Sequence, residues 1–496
     1  MVKLQYFYAG IIMKNCVFLT FAFILCAGIY GFSFWLGFPG YIYDTDTFRV
    51  LDFVLEDFGP PMNTLFIWLI TLIFGKHTFY LFLLNLITLY LGIYFLIAGF
   101  YLRYKSIFSL ALLLIAFIGN IYLSNFISMN YVLMANFIFC AYSGILLLIL
   151  AGERIAKKIR IVLWILIFAL LFLGLLWRHN AIFSAFPAFF IIIYLWLRNR
   201  GLDSLDSKVF AKKFVGFVAL SAIICLAIVV ELPKRVPKKY DAYPSNPIFL
   251  LQIAGACVPS DDSNCFKDEW YFFDGRKSAD FSHIKNAYHS NSLMGDFYSC
   301  GWNIIECGKL NGLHSAWIKA ILKHPLNFLA HEARFFKAMW WQNPRDDDID
   351  SFARSLIKNP KRIQAMPQDS YRLNILSNYP QSEWSIAFSP LKERIYAFFY
   401  NNLPIFNHAL FVATSFVLLV ISGFLIVRWR KCECDKSLLI FTFATSLTSF
   451  ASAIIIAGMT IVAWSRYMSP VAIFSMIALI GFVALCLEIR AKRVQI

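Results

Sequence analysis

The sequence predicts an all-α polytopic membrane protein of about ten to eleven transmembrane helices, with an external, mainly helical domain inserted roughly halfway along. Three observations predict it. Of 496 residues, 60% are hydrophobic and only 15% charged, against roughly a quarter charged in an average soluble chain. Windows such as Phe79–Phe100, Ile159–Trp177, Phe214–Val230 and Val471–Leu487 are almost free of charge, and each has the ~17–22 residues needed to cross ~30 Å of hydrocarbon. Between two such sets of spans lies a stretch of roughly 170 residues, Pro233–Leu403, rich in Pro, Asn, Asp, Trp and Tyr. It is too long for a bare loop and reads as a domain.

The first span covers Ile11–Leu36. It is too long for a signal-peptide core and has no convincing small-residue cleavage site. Lys and Arg clusters mark the cytoplasmic ends of the spans: Arg103–Lys105, Glu153–Arg160, Arg198–Lys213, Arg428–Lys436 and Arg490–Arg493. Reading back from the C-terminus, Val471–Leu487 runs inward, Trp464–Pro470 lies outside, Ser437–Ala463 starts inside and Phe406–Val427 enters from outside. Upstream there are eight apolar segments, whereas an inside N-terminus requires an odd number of crossings. Met62–Gly75 is only about 14 residues, ~21 Å as a helix, and is expected not to cross. The chain then divides into an N-terminal transmembrane module (1–232) with an acidic first external loop (37–61), an external domain (233–404) and a C-terminal transmembrane module (405–496).

A net charge of +16 would suggest nucleic acid in a soluble protein. Here the cations punctuate apolar spans, so the partner they imply is membrane lipid, and no nucleic acid is expected. Four of the eleven cysteines, Cys257, Cys265, Cys300 and Cys307, lie in the external segment in two close pairs, as expected for disulfides in an oxidising compartment. Cys432 and Cys434 sit in a basic loop without the partner pair a zinc site needs. There is no sustained repeat and no glycine-rich phosphate loop, so direct coupling to ATP hydrolysis is not expected.

Acidic residues are scarce, which gives their clustering weight. Asp44, Asp46, Asp52, Glu56 and Asp57 fall within about fourteen residues of the first external loop. Carboxylates held there suit a general base or metal ligands, although a solvated external loop is also acidic. Arg178–His179–Asn180 follows an apolar span at its outer end. A guanidinium facing a cleft binds a lipid phosphate; one that snorkels to the headgroups does not need to. Trp464–Ser465–Arg466–Tyr467 offers a second external arginine. In the external domain, His324, His331 and Arg334 lie on a stretch expected to be helical, Ser315–Trp341, which reads first as an amphipathic helix on the membrane surface. Trp270, Tyr288 and Trp302 are candidates for stacking on sugar rings. The run from Asp346 to Asp350 lacks the glycine and bidentate glutamate of a calcium loop.

With these residues in view, the chain resembles bacterial membrane glycosyltransferases of the GT-C fold, including the dolichyl-phosphate-mannose mannosyltransferase-like and O-antigen-modifying groups. Asp57–Phe58–Gly59–Pro60–Pro61 is similar to their Asp-Trp-His-Pro-Pro-like motif. Asp44 and Asp46 resemble the upstream acidic pair, and Arg178–His179–Asn180–Ala181 an Arg-His-Asn-Gly element. Asn246–Gly255, His324–Pro325 and Arg466–Tyr467 match weakly recurring positions. Each motif is short, and Gly59 stands where a histidine is usual, so an imidazole role there is lost.

The resemblance implies transfer of a sugar from a polyprenyl-phosphate donor to a glycan, lipid or protein acceptor at the outer face of the membrane. Asp44, Asp46 or Asp57 would deprotonate the acceptor hydroxyl, and direct displacement would invert the anomeric centre. Arg178, His179, Asn180, Arg466 and Tyr467 would bind the lipid phosphate. Some relatives use a divalent metal and others none, and the resemblance does not choose. It also favours a bacterial inner membrane with the site facing the periplasm. The rival readings are an O-antigen polymerase or ligase working through external arginines, and a transporter or flippase of lipid-linked glycans. Transport predicts charges buried within the spans and symmetric halves, and neither is evident.

Overall fold

The computed structural model describes residues 2–37, 61–75, 79–114, 130–201, 207–236, 243, 245–273, 276–277, 280–288, 309–341, a few positions in 390–398, 407–428, 434–460 and 465–494. Asp44, Asp46, Asp52, Glu56, Asp57, Gly59, Cys300, Cys307, Trp302 and the Asp346–Asp350 run lie outside the described residues, as do the side chains of His179 and Arg466.

Among the described residues nine helices are long and apolar enough to cross a membrane. They are α1 (Val2–Gly37), α3 (Phe79–Tyr104), α4 (Asn130–Ala151), α5 (Lys157–Trp177), the pair α6 (Ile182–Ala185) and α7 (Ala188–Asn199) acting as one span, α8 (Ser207–Lys234), α13 (His408–Val427), α14 (Lys436–Gly458) and α15 (Ser469–Val494). A shorter apolar helix, α2 (Pro61–Phe74), precedes α3. The inserted segment supplies α9 (Asn246–Cys257), α10 (Phe281–Ala287), α11 (Leu313–Lys323), α12 (Pro325–Trp341) and a two-residue hairpin, β1 (Phe272–Phe273) with β2 (Arg276–Lys277).

Side-chain contacts give each span its direction. α1 runs antiparallel to α3: the Phe18 ring stacks on Tyr101, Phe23 meets Tyr94 edge-on, Ser33 hydrogen-bonds Tyr90 at 2.7 Å and Phe34 stacks on Phe82. The end of α1 and the start of α3 therefore share one face, and the 14-residue α2 between them makes no net crossing. By contrast α3 and α4 are parallel. Asn136 donates to Asn85 near one end, and Arg154 donates to the Leu102 carbonyl at 2.8 Å near the other. The end of α3 and the start of α4 therefore lie at opposite ends of the bundle.

Small residues allow the α3–α4 approach. A Cβ on Gly92 would lie 2.7 Å from the Phe139 ring, and one on Gly99 3.2 Å from the Leu147 backbone. Without a hydrophobic drive between helices in lipid, such close packing and interhelical hydrogen bonds hold spans together. The hydrogen bonds gather on α14: Thr448 with Tyr142 (2.6 Å), Ser452 with Ser184 (2.8 Å) and Ser449 with Ser415 (2.6 Å). Peripheral spans instead turn apolar side chains outward, as at Val215 and Ile223 of α8, both 63% exposed.

One end of the bundle collects most of the cations. Arg103 at the end of α3 grips Glu488 of α15 through Nε and Nη2, and Arg198 at the end of α7 donates to Ser437 at the start of α14. We call this the basic face. The opposite end carries the inserted segment and is the domain face. That segment does not close a core by itself: Leu250, Ile253, Phe335 and Met339 pack in one cluster with Val412, Ala453, Ile456 and Val471 from the ends of α13, α14 and α15.

Candidate functional site at the domain face

Two clusters of polar side chains stand at the domain face. The first forms where α5 ends. Trp177, 1% exposed, is edge-on to Phe66 of α2 (5.5 Å) and Phe137 of α4 (5.4 Å). Arg178 is extended and half-buried, and a 3-10 turn, His179–Ala181, leads into α6. Asn63 lies one turn before Phe66 on α2 and is buried. Among the described residues, Asn63 Oδ1, Trp177 Nε1 and Asn180 Oδ1 are shielded from solvent without a hydrogen-bond partner. Buried polar atoms are almost always paired, and each one left unpaired costs roughly 1–3 kcal/mol. One donor and two acceptors on residues beside Arg178 in sequence (Trp177, Asn180) and on the helix whose Phe66 packs on Trp177 (Asn63) are thus left for a ligand that can hydrogen-bond. The acidic loop runs directly into α2, so Asp57 is within about 14 Å of Pro61 along the chain.

The second cluster joins the inserted segment to α14. Gln252 on α9 donates to Glu332 of α12 (3.1 Å) and to the carbonyl of Gly458 in the last turn of α14 (3.1 Å), and accepts from Trp317 Nε1 (2.8 Å). Burial pushes the Glu332 carboxyl up to about 7, against the opposing pull of the Gln252 bond. A carboxyl in that range can accept and return a proton near neutrality. Next to it His331, 1% exposed, is pushed down to about 4, first by burial and then by Arg334. Its Nδ1 meets the Tyr288 hydroxyl at 2.8 Å, and burial raises that phenol to about 12. A neutral imidazole accepting from a phenol fits the Nε2–H tautomer.

Ser184 of α6 and Ser452 of α14, from the elements that adjoin the two clusters, are hydrogen-bonded at 2.8 Å.

Several expected residues do not converge. Ser315–Trp341 is two helices, because Pro325 has no N–H to give and His324 takes a non-helical conformation (φ −128°). His324 and His331 therefore do not share one face. His324 Nε2 meets Asp262 (2.8 Å), which also accepts from Lys323 (2.6 Å); these two hydrogen bonds, His324's first, hold the Asp262 carboxyl well below the usual range. His331 points inward, whereas Arg334 is exposed and donates to the Ala330 carbonyl. Tyr467, read as a phosphate ligand, is 9% exposed beside Met468 and Val471 in the apolar cluster. Trp270 is no sugar platform either: it is 1% exposed and donates to the Asn311 carbonyl.

The expected disulfide Cys257–Cys265 is present. With Asp262 and His324 these cysteines form the one group of potential metal ligands found among the described residues. Each sulfur is bonded to the other, so no thiolate is offered, and the group is a covalent and ionic staple. Cys434, near the basic face, is disulfide-bonded as well, so bridging is not confined to the domain face.

Sequence reasoning passed over Gln252, Trp317, Glu332, Asn63 and Trp177. Glu332 was one acid within a basic stripe, and only burial distinguishes it. Asn63 and Trp177 sit in apolar runs where their unpaired atoms have no sequence signal. No model of a known protein family matches the chain, and neither the curated proteins nor the solved structures contain one similar to it.

Proposed function

We propose that this protein is a membrane glycosyltransferase that moves a sugar from a polyprenyl-phosphate donor to a glycan, lipid or protein acceptor at its domain face. The carrying observation is the set of unpaired buried polar atoms, Asn63 Oδ1, Trp177 Nε1 and Asn180 Oδ1, at the α5–α6 turn that holds Arg178 and on the α2 that packs against it. A carboxylate of that loop, Asp44, Asp46 or Asp57, takes the acceptor proton. The freed oxygen attacks the anomeric carbon, the bond to the donor phosphate breaks, and configuration inverts. Arg178 stabilises the charge that develops on the departing lipid phosphate. The protein would lie in a bacterial inner membrane, with the basic face toward the cytoplasm.

The test is sugar transfer in proteoliposomes from radiolabelled polyprenyl-phosphate donors. Arg178→Gln should lower kcat by about a hundredfold, and one of Asp44→Asn, Asp46→Asn and Asp57→Asn should abolish transfer in protein that still folds. If all three loop variants equal wild type while Arg178→Gln is inactive, the polymerase or ligase reading replaces this one. If no donor in a complete panel is consumed and a lipid-linked glycan crosses the bilayer instead, the protein is a flippase.

A further inference from the structure

The basic face holds a feature that glycosyl transfer at the other end leaves unused. A cavity of about 450 Å³ opens there between the ends of α3, α4 and α7, the start of α14 and the end of α15. Three arginines from three different spans line it, Arg103, Arg154 and Arg198, together with Glu153, Asp435 and Glu488. The lining carries equal numbers of positive and negative groups, but the carboxylates direct their hydrogen bonds away from Arg154 and Arg198. Glu488 is held by the two-pronged grip of Arg103. Asp435 caps α14, accepting from the backbone N–H groups of Ser437 and Leu438. Glu153 is 95% exposed and pairs with Arg160.

Arg154 and Arg198 are left. Among the described residues neither has a carboxylate within ion-pair distance: Arg154 donates once to the Leu102 carbonyl and Arg198 once to the Ser437 hydroxyl. A guanidinium carries five N–H donors in a planar fork, so both retain donors for a ligand. Leu150 and Leu438 add apolar wall. Just beyond Arg103, Ile107 and Phe108 are 64% and 84% exposed, as side chains in contact with acyl chains are. A cavity between the ends of spans, with spare guanidinium donors and exposed apolar residues beside it, is the kind of place where phosphate headgroups bind.

We propose that this cavity is a site for a phosphate-bearing anion, the headgroup of an anionic phospholipid from the adjacent leaflet, gripped by Arg154 and Arg198. The Arg103–Glu488 pair forms its wall. The site is independent of any activity at the domain face.

The experiment uses the full chain, delipidated in neutral detergent, and reads the shift in unfolding temperature and the lipid retained in native mass spectrometry. Phosphatidylglycerol is titrated against phosphatidylcholine and inorganic pyrophosphate. Wild type is compared with Arg154→Gln/Arg198→Gln and with Lys157→Gln/Lys158→Gln, which removes two exposed charges from the same face outside the cavity. We expect phosphatidylglycerol to bind wild type and the lysine variant alike, and the arginine variant at least about tenfold more weakly. Arg198→Lys keeps the charge but gives up the fork. It serves where the double variant fails to fold, and should also lose about tenfold. Pyrophosphate that binds with the same arginine dependence, and competes with the lipid, would uphold the phosphate site and give it a soluble source. Undiminished lipid binding by the arginine variants, or equal loss in the lysine variant, would overturn the proposal.

Discussion

The two ends of the bundle are both polar, but they hold their polarity differently. At the basic face the most buried charge is answered in place: Glu488, with a side chain 5% exposed, is clasped by Arg103. At the domain face, buried atoms of Asn63, Trp177 and Asn180 have no partner among the described residues, and Glu332 is held where its carboxyl is close to neutral. An answered charge fixes how spans assemble. An unanswered donor or acceptor costs stability and so marks where a ligand supplies the missing bond. The contrast concerns the most buried groups at each end; the spare donors of Arg154 and Arg198 at the basic face belong to exposed side chains.

The largest effect should come from breaking the clasp. Arg103→Met leaves Glu488 buried without its counter-charge and should cost about 4 kcal/mol, whereas Arg103→Met/Glu488→Met should recover most of it. Thermal unfolding in detergent reads both, and a double variant no better than the single would show the pair to be incidental. At the other end, Gly255→Ala tests the seat of Glu332. A Cβ there would fall 2.3 Å from Cγ of the His331 ring and 2.8 Å from the His331 Cβ, the fixed root of that side chain. Loss of about 3 kcal/mol, with early proteolysis of the inserted segment before the spans, is the expected outcome. Cys257→Ser/Cys265→Ser opens a bridge between residues eight apart and should cost about 2 kcal/mol by loop entropy. Reducing agent should reproduce that loss in wild type.

The smallest effect has a sign set by pH. Glu332 has a folded pKa of about 7, above its unfolded value of roughly 4.3. The native state therefore binds more protons, and the contribution present at low pH is lost as pH rises through 7. His331 works in the opposite sense, because its folded value of about 4 lies below an unfolded value of roughly 6.5. It contributes above that value and loses its contribution as pH falls. Glu332→Gln should therefore stabilise the protein at pH 8 by on the order of 1–2 kcal/mol. The gain should vanish near pH 4.5, leaving a variant that weakens more steeply than wild type on acidification. A constant offset between pH 4.5 and 8 would mean that the Glu332 carboxyl titrates as an exposed one.

Much of the architecture was legible because lipid constrains sequence severely. Nearly every span could be located from apolar length, and the shortness of Met62–Gly75 anticipated that α2 makes no crossing. Lys and Arg clusters located the basic face, since headgroups select for them. The candidate site was legible only in outline. Arg178 and Asn180 stood out as polar residues between spans. The burial of Tyr467 and Trp270 was not legible, because an aromatic residue near an interface looks the same in sequence whether it packs inward or faces a ligand. His324 and His331 were joined by helical spacing that Pro325 interrupts.

What the sequence determined by itself is which segments enter the bilayer and which end they present to its basic side, because transfer free energy depends on local composition. What only the tertiary structure decided is the fate of individual polar groups. Glu332 is an ordinary carboxylate until α9 and α14 close over it, and Asn63 an ordinary helix residue until α5 and α2 shut out water. Those environments are built from positions hundreds of residues apart, and desolvation is a property of the assembled neighbours.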